Sequence, residues 1–305
     1  MGKTGRIFSR VVIAGVGLMG GSLGMALKKR GLAREVVGLV RRRPVIARAR
    51  ALGAIDQGTQ LASRALEGAE LVVLATPVRH TPDLLQQLTP DLPPRCLVTD
   101  LGSTKVRFLR EIEKRFYQPN FVQKTVPPAP KFNFASSHPM AGSEKTGVEA
   151  ADPDLYTGST CLLVRTKHTS EESLHRLSVL WRAVGCRQVL TLSPEEHDRW
   201  VAAVSHLPHA LAACLVNVLA ELSARDARIR TAAGSGFHDT TRVAAGSPAM
   251  WLDILLDNRE EVCAMIGLLR RQLSRLETAL QSGEGRRLLE QLEQASRFRQ
   301  GMEKT

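Results

Sequence analysis

Residues 11–16 form a continuous apolar run, which ends in Gly15-Val16-Gly17-Leu18-Met19-Gly20 just as a helical pattern opens at Leu18. No other feature limits the fold as much. A glycine-rich turn between a buried strand and a helix is the phosphate-binding turn of a dinucleotide-binding βαβ unit. Its first glycine makes the tight turn, the second lets a pyrophosphate approach the backbone, and the third packs helix on strand. The phosphates then face free N–H groups at the helix N-terminus. Apolar runs at 36–40, 71–75 and 97–100 alternate with helical patterns at 18–30, 44–52 and 104–115. Such alternation predicts a parallel sheet with right-handed crossovers.

Strands are expected again at 134–137, 160–164 and 187–192, with a helix over 171–183. Between them, residues 118–131 carry Pro119, Pro127, Pro128 and Pro130, too many for a helix or central strand, so a long surface loop is expected. The pattern changes at Ser193. Ser193-Pro194-Glu195-Glu196 is a helix start, and long helical stretches follow at 210–222 and 250–280 with no convincing strand. The chain of 305 residues therefore reads as α/β. A Rossmann-like dinucleotide-binding domain over 1–193 is followed by an all-α domain over 194–305, whose long apolar helix faces are expected to form a dimer interface.

Charge bears on which dinucleotide is read. The formal net charge is +12, and the first 50 residues hold twelve basic side chains against one acid, Glu35, so nearly all of the surplus is local. With aromatics at only 4% and no helix-turn-helix pattern, a nucleic-acid-binding or dinucleotide-sensing regulator is the weaker reading, and no nucleic-acid partner is expected. An NAD site usually places Asp or Glu at the tip of the second strand, about 20 residues past the glycines. Here Val40 occupies that position and Arg41-Arg42-Arg43 follow. Guanidiniums can receive a 2′-phosphate bidentately, which points to NADP with NAD as the alternative. A merely solvated basic loop is the competing explanation. The other cluster, residues 28–34, suits a helix C-terminus, where cations are favoured.

Cys96, Cys161, Cys186, Cys214 and Cys263 are odd in number, scattered and free of CxxC spacing, which fits a reducing, cytoplasmic setting better than a disulfide framework or a zinc site. The uncharged stretch 11–27 contains five glycines and is short for a bilayer, so neither a signal peptide nor a membrane partner is expected.

Several blocks occur in a fixed order: the fingerprint at 15–20, Thr76-Pro77, Asp100-Leu-Gly-Ser103-Thr-Lys105, His138-Pro-Met-Ala-Gly142-Ser-Glu144-Lys145, Ser205-His206-Leu-Pro208-His209, and Gly236-Phe237-His238-Asp239-Thr-Thr-Arg242. In these the chain resembles the prephenate/arogenate dehydrogenase family of tyrosine biosynthesis. The resemblance runs from residue 11 to about 260; the segment 118–131 departs from it as an insertion, and neither a C-terminal regulatory domain nor a fused mutase is expected. It implies a cyclohexadienol substrate that carries a ring carboxylate. Hydride leaves the carbinol carbon for the nicotinamide while the ring loses CO₂ and becomes aromatic. Prephenate and arogenate differ in a keto or amino side chain, and no residue decides between them. A dehydrogenase for an unrelated hydroxy acid would use a catalytic lysine from the helical domain, whereas this chain offers His and Arg motifs there.

His138 is the expected proton acceptor, since an imidazole titrates near neutrality. It should lie just past the strand 134–137, at the carboxyl edge of the sheet. The resemblance implies that Ser103 bonds the substrate hydroxyl and His138 and fixes the histidine tautomer; a helix cap is the other use for it. Asp100 braces the loop, and Lys105 either approaches the cofactor or rides the first helical turn. Arg242 is expected to anchor a substrate carboxylate as a two-pronged donor, or else to pair with Asp239. His206 and His209 share a helix face, with Pro208 forcing a helix start or kink. The resemblance implies a substrate contact for His209, and for the pair this outweighs metal ligation with His197 and Asp198, since a zinc spacing is missing and no metal is expected. Glu144 is expected to gate or order the site entrance, with a solvated loop charge as the other use for it. The cofactor contacts are Gly15, Gly17, Leu18, Met19, Gly20, Arg41, Arg42, Thr76 and Pro77.

Overall fold

The computed structural model describes residues 5–118 and 130–302, so almost all of the proline-rich stretch expected as a surface loop lies outside the described residues. The apolar runs build a wholly parallel sheet. Its strands are β1 (Phe8–Ala14), β2 (Ala33–Leu39), β3 (Gln57–Thr59), β4 (Leu71–Leu74), β5 (Leu97–Asp100) and β6 (Asn133–Phe134), in the order β3-β2-β1-β4-β5-β6. Helices α1 (Leu18–Lys29), α2 (Arg43–Ala51), α3 (Ala62–Leu66), α4 (Thr81–Leu88) and α5 (Val106–Phe116) lie between successive strands. This is the doubly wound order of dinucleotide folds, which opens its ligand crevice at the carboxyl ends of β1 and β4. β1 feeds both faces: Val11 and Ile13 cluster with Leu23 and Leu27 of α1, Val12 and Ala14 with Leu85 of α4 and Phe108 of α5. Burial on both faces is why the strands read as unbroken apolar runs.

A second, three-stranded sheet pairs β7 (Ser136–Pro139) antiparallel and β9 (Gln188–Leu192) parallel to β8 (Thr160–Val164), with α6 (Glu171–Ala183) joining β8 to β9. The one strand expected over 134–137 is thus two. Ala135 N–H still donates to the Val98 carbonyl at 3.1 Å. Next, the Ser136 hydroxyl donates to the Asp100 carboxylate (2.5 Å) and the Ser137 hydroxyl to the Asp100 carbonyl (2.8 Å), while the backbone moves to β8. His138 consequently sits inside a strand, paired with Leu162, and not past the end of one.

From Ser193 on, the regular elements of the described residues are helical: α7 (Pro194–Val201), α8 (Leu207–Arg225), α9 (Ser235–Thr241), α10 (Pro248–Asp257), α11 (Arg259–Gln281) and α12 (Gly285–Met302). α7 opens on a capping box, in which the Ser193 hydroxyl accepts from Glu196 N–H and the Glu196 carboxylate accepts from Ser193 N–H. Pro208 falls in the first turn of α8, as a helix start there requires, and residues 202–206 before it wind as a π-turn that joins α7 to α8. The single helix expected over 250–280 is divided at Asn258. By contacts the chain forms two compact units, Met1–Asn258 and Arg259–Thr305. In the second, a turn with Gly283 at φ +66° joins α11 to α12.

Candidate active site

The glycine turn sits at the β1–β4 crevice, and each glycine has a separate physical reason. Gly15 has φ +103°, and a Cβ there would lie 2.6 Å from the Ala75 carbonyl oxygen; at Gly20 it would lie 2.2 Å from the Gly15 carbonyl oxygen. At Gly17 the Cβ direction meets nothing within 4 Å. Gly17 also caps α1, and among the described residues no side chain bonds the free N–H groups that begin with Leu18 and Met19. An open face beside an uncovered helix N-terminus is the cradle a pyrophosphate needs, so these residues fit a bound dinucleotide. Thr76 packs against Gly15, its methyl 3.2 Å from that Cβ position, and Pro77 follows exposed at the mouth.

The basic first fifty residues divide on inspection of their partners. Lys28 pairs with Asp56 (2.6 Å), Lys29 (2.5 Å) and Arg30 (3.4 Å) with Asp154, Arg10 with Glu35 (2.5 Å) and Arg48 with Glu149 (3.5 Å). The cluster expected only to decorate a helix end is therefore largely neutralised. Arg41, Arg42 and Arg43 are exposed and form no ion pair among the described residues. Their loop is held by the Gln60 side-chain amide, which donates to the Arg41 carbonyl at 2.6 Å.

Below the crevice lies a buried polar cluster. Lys105 and Asp100, both essentially without solvent exposure, form an ion pair of 2.6 Å, and Lys105 Nζ also donates to the Ser137 carbonyl at 2.9 Å. The Asp100 carboxylate further accepts Gly102 N–H (2.8 Å) and the Ser136 hydroxyl. Lys105 is thus shut away from solvent and braces β7, the strand that carries His138. α5 begins at Val106, not at 104, and its N-terminus is capped from another helix: Asp198 of α7 accepts Lys105 N–H (2.8 Å) and Val106 N–H (2.9 Å).

That same carboxylate lies at the end of a chain of hydrogen bonds. His197 Nδ1 is 2.8 Å from Asp198 Oδ1, and His138 Nδ1 is 2.8 Å from His197 Nε2. Burial, with the nearby Lys105 charge, pushes the His197 imidazole down to about 2 and holds His138 well below its usual value, so both rings are neutral. Burial raises Asp198, opposed by its two backbone N–H donors. An ionised Asp198 only accepts, which assigns the protons: His197 donates from Nδ1, its Nε2 accepts from His138 Nδ1–H, and the lone pair of His138 is on Nε2. The bond that fixes the His138 tautomer comes from His197; among the described residues half-buried Ser103 makes no hydrogen bond, to His138 or as a cap. His197 and Asp198, weighed above only as metal ligands, instead hold each other and His138. The signal in the sequence was a His-Asp pair on the buried face of a helix.

His206, on the π-turn, faces Asn258 Nδ2 at 3.2 Å through Nδ1; the same amide donates to the Asp198 carbonyl at 2.7 Å. Asn258 interrupts the expected long helix at the point where its amide joins this network. His209 of α8 stacks on Trp251 of α10 with ring centroids 3.5 Å apart, and its Nδ1 is buried without a partner among the described residues. Burial holds His206 at about 4 and lowers His209 as well. Arg242 pairs with Glu144 at 3.0 Å, not with Asp239, which is exposed and unpaired among the described residues. A hydrogen bond from its own backbone, with Arg242 beside it, holds the Glu144 carboxyl below the usual range.

Comparisons with known proteins point to one family. Two family models match: prephenate dehydrogenase, nucleotide-binding domain, over residues 23–190, and prephenate dehydrogenase, dimerization domain, over residues 193–294. The chain is 30% identical over 293 residues to a prephenate dehydrogenase of Bacillus subtilis, covering 96% of this chain and 76% of that one. It is 31% identical to a cyclohexadienyl dehydrogenase of Zymomonas mobilis, over 96% of each. Among solved structures, prephenate dehydrogenase from Aquifex aeolicus in complex with hydroxyphenyl propionate and NAD+ matches with a TM-score of 0.84 at 32% identity, over 96% of this chain and 98% of that one.

Proposed function

The chain belongs to the prephenate dehydrogenase family of NAD(P)-dependent oxidoreductases, and from that premise we propose how its residues divide the work on prephenate, or on arogenate as the alternative substrate. The observation that carries the reading is the 2.8 Å contact between His138 Nδ1 and His197 Nε2, which leaves His138 Nε2 as the free acceptor. His138 Nε2 accepts the hydrogen bond of the substrate hydroxyl at the carbon that is oxidised. Ser103, in the loop after β5, has its hydroxyl free for the same oxygen. Bound nicotinamide supplies the hydride acceptor. Gly15, Gly17, Leu18, Met19 and Gly20 take the pyrophosphate, and Thr76 and Pro77 line the crevice mouth.

Arg242 supplies the carboxylate anchor, and the ion pair with Glu144 keeps it ready. Glu144 occupies one edge of the guanidinium, and an arriving substrate carboxylate displaces it. His209, ring-stacked and with a spare nitrogen, and His206 are the further substrate contacts in this reading; Asp239 lies one turn before Arg242. Arg242→Gln is expected to raise KM for the substrate by about tenfold or more, the scale of a charge-assisted hydrogen bond, with little change in kcat. An unaltered KM in steady-state assays would remove Arg242 from this role.

NADP is the proposed cofactor. Its support is the contrast between paired Lys28, Lys29 and Arg30 and unpaired Arg41–Arg43 at the β2 tip. Initial rates with prephenate and arogenate, each offered with NADP and NAD, test both choices together. NADP should be favoured, and Arg41→Glu should move the kcat/KM ratio toward NAD; a parent that prefers NAD sinks the NADP reading, and no reduction with any combination sinks the enzymatic one.

The helical part is the proposed homodimer interface. Val204, Val216, Val218, Leu222, Leu252 and Leu256 are exposed in the single chain, more apolar side chains than a monomer usually leaves bare on neighbouring helices. Light scattering should give twice the 33.4 kDa of one chain; a monomer at micromolar concentration would refute it. Free thiols at all five cysteines support a reducing, cytoplasmic setting.

A further inference from the structure

We infer that His138, His197 and Asp198 form a closed proton wire, which takes the hydroxyl proton of the substrate and returns it to the phenol product, with Asp198 as its far end. This rests on the cyclohexadienol reading above. Two hydrogen bonds of 2.8 Å connect the three residues head to tail. The rings are tilted by 49° with centroids 5.0 Å apart, so they meet through their nitrogens and do not stack.

The chemistry needs a wire of this kind. The substrate loses one carboxylate as CO₂ and one hydrogen with its electron pair from the carbinol carbon, while the product keeps a hydroxyl. No proton is left over, so the hydroxyl proton is lent and given back. In the outward step the substrate O–H bond breaks and an N–H bond forms at His138 Nε2. The Nδ1 proton of His138 passes to His197 Nε2, and the Nδ1 proton of His197 passes to Asp198 Oδ1. Both imidazoles end neutral in the opposite tautomer. The negative charge of Asp198 has moved to the carbinol oxygen, where it drives hydride departure. When CO₂ leaves, its electron pair reaches that oxygen through the ring, and the phenolate recovers the proton as the three transfers reverse.

Placement favours this over a proton that stops on the first ring. In a Ser-His-Asp triad the imidazolium is the resting place of the proton and the aspartate stays ionised. Here the surroundings disfavour a cation on either ring. Lys105 from the loop before α5, Cys161 from β8 and His206 from the π-turn face the pair, with Asp100 of β5 already matched to Lys105. Burial pushes both imidazoles down and the Asp198 carboxyl up, so the carboxylate is the better host. His197 and Asp198 are fully enclosed at 0% and 2% exposure. A wire without an outlet suits a proton that is never released.

His197→Gln separates a wire from a mere orienting bond. The glutamine carbonyl still accepts from His138 Nδ1–H and its amide still donates to Asp198, so ring position and tautomer persist while proton passage stops. In the ligand-free full-length protein, nitrogen NMR of labelled histidine should show His138 and His197 both protonated on Nδ1, with the His138 signals assigned by their loss in His138→Asn. His197→Gln should keep the His138 tautomer and lower single-turnover rates by roughly 100-fold, a base-catalysis scale, with substrate KM and cofactor Kd within about twofold. A His138 ring protonated on Nε2 in the parent, or parent-like rates in His197→Gln, overturns the wire. Should the variant fail to fold, the parent decides alone: a single-turnover rate in mixed light and heavy water that curves with isotope fraction reports several protons in flight, and a linear or absent dependence overturns the proposal. If neither prephenate nor arogenate is turned over, the substrate reading fails, while the tautomers still report on the chain.

Discussion

His138→Asn is expected to lower kcat by about 10²- to 10⁴-fold, the range of a positioned proton acceptor, while leaving cofactor binding intact. Asparagine is the informative replacement because its side-chain amide falls where His138 Nδ1 lies and can still donate to His197 Nε2. What disappears is the lone pair at the position of Nε2, with little rearrangement of β7. His138→Ala would also lose the bond to His197 and leave that nitrogen buried without a partner, mixing a packing cost with the chemical one. The cofactor cradle at Gly15–Gly20 belongs to the β1–α1 turn and shares no hydrogen bond with His138. Steady-state rates and a cofactor fluorescence titration give the two numbers. Turnover within tenfold of the parent would mean that the substrate hydroxyl keeps its proton unaided, and His138 would lose its role.

Where periodicity and turn chemistry act locally, the sequence was read correctly. β5 at 97–100, β8 at 160–164 and α6 at 171–183 fall where apolar runs and helical spacing put them. The helix start at Ser193 was legible because all of its partners lie within four residues. Misreadings arose where a distant group overrides a local pattern. Residues 134–137 look like one strand, yet the Asp100 carboxylate and carbonyl bond Ser136 and Ser137 just where the chain changes sheets. Residues 250–280 look like one helix, yet the Asn258 side chain bonds Asp198 and His206. β3, a three-residue edge strand with one glycine, carries too little pattern to be seen. In the site, His138, Arg242 and Glu144 stand in distinctive blocks, but their partners are nonlocal. Arg242 meets Glu144, 98 residues away, rather than Asp239 three residues away, and His138 meets His197, 59 residues away. A helical i, i+3 pairing was a sound local expectation for Arg242, and the fold supplied a better carboxylate.

Lys105→Met should destabilise the fold more than any surface change. Methionine matches the length of the lysine stem, so packing against Phe108, whose ring centre lies 5.8 Å from Nζ, survives. What is lost is the only ion-pair partner of the Asp100 carboxylate among the described residues, together with the donor to the Ser137 carbonyl. Removing one member of a buried ion pair typically costs about 3–5 kcal/mol, because the remaining charge stays desolvated. Total stability for a protein domain is only about 5–15 kcal/mol. The Ser136 hydroxyl and Gly102 N–H still bond Asp100 and soften the loss without neutralising the charge. Asp100→Asn combined with Lys105→Met removes both charges, and the double variant should unfold at higher denaturant than Lys105→Met alone. Such recovery is the signature of coupling between two groups, and a strictly additive pair would show that they act separately. A shift below about 1 kcal/mol for Lys105→Met, the scale of an exposed pair, would mean that water reaches Asp100 and that β7 does not depend on this charge. Since the same ammonium holds the Ser137 carbonyl one residue before His138, a folded Lys105→Met protein should also lose activity, with the defect in kcat rather than in cofactor affinity.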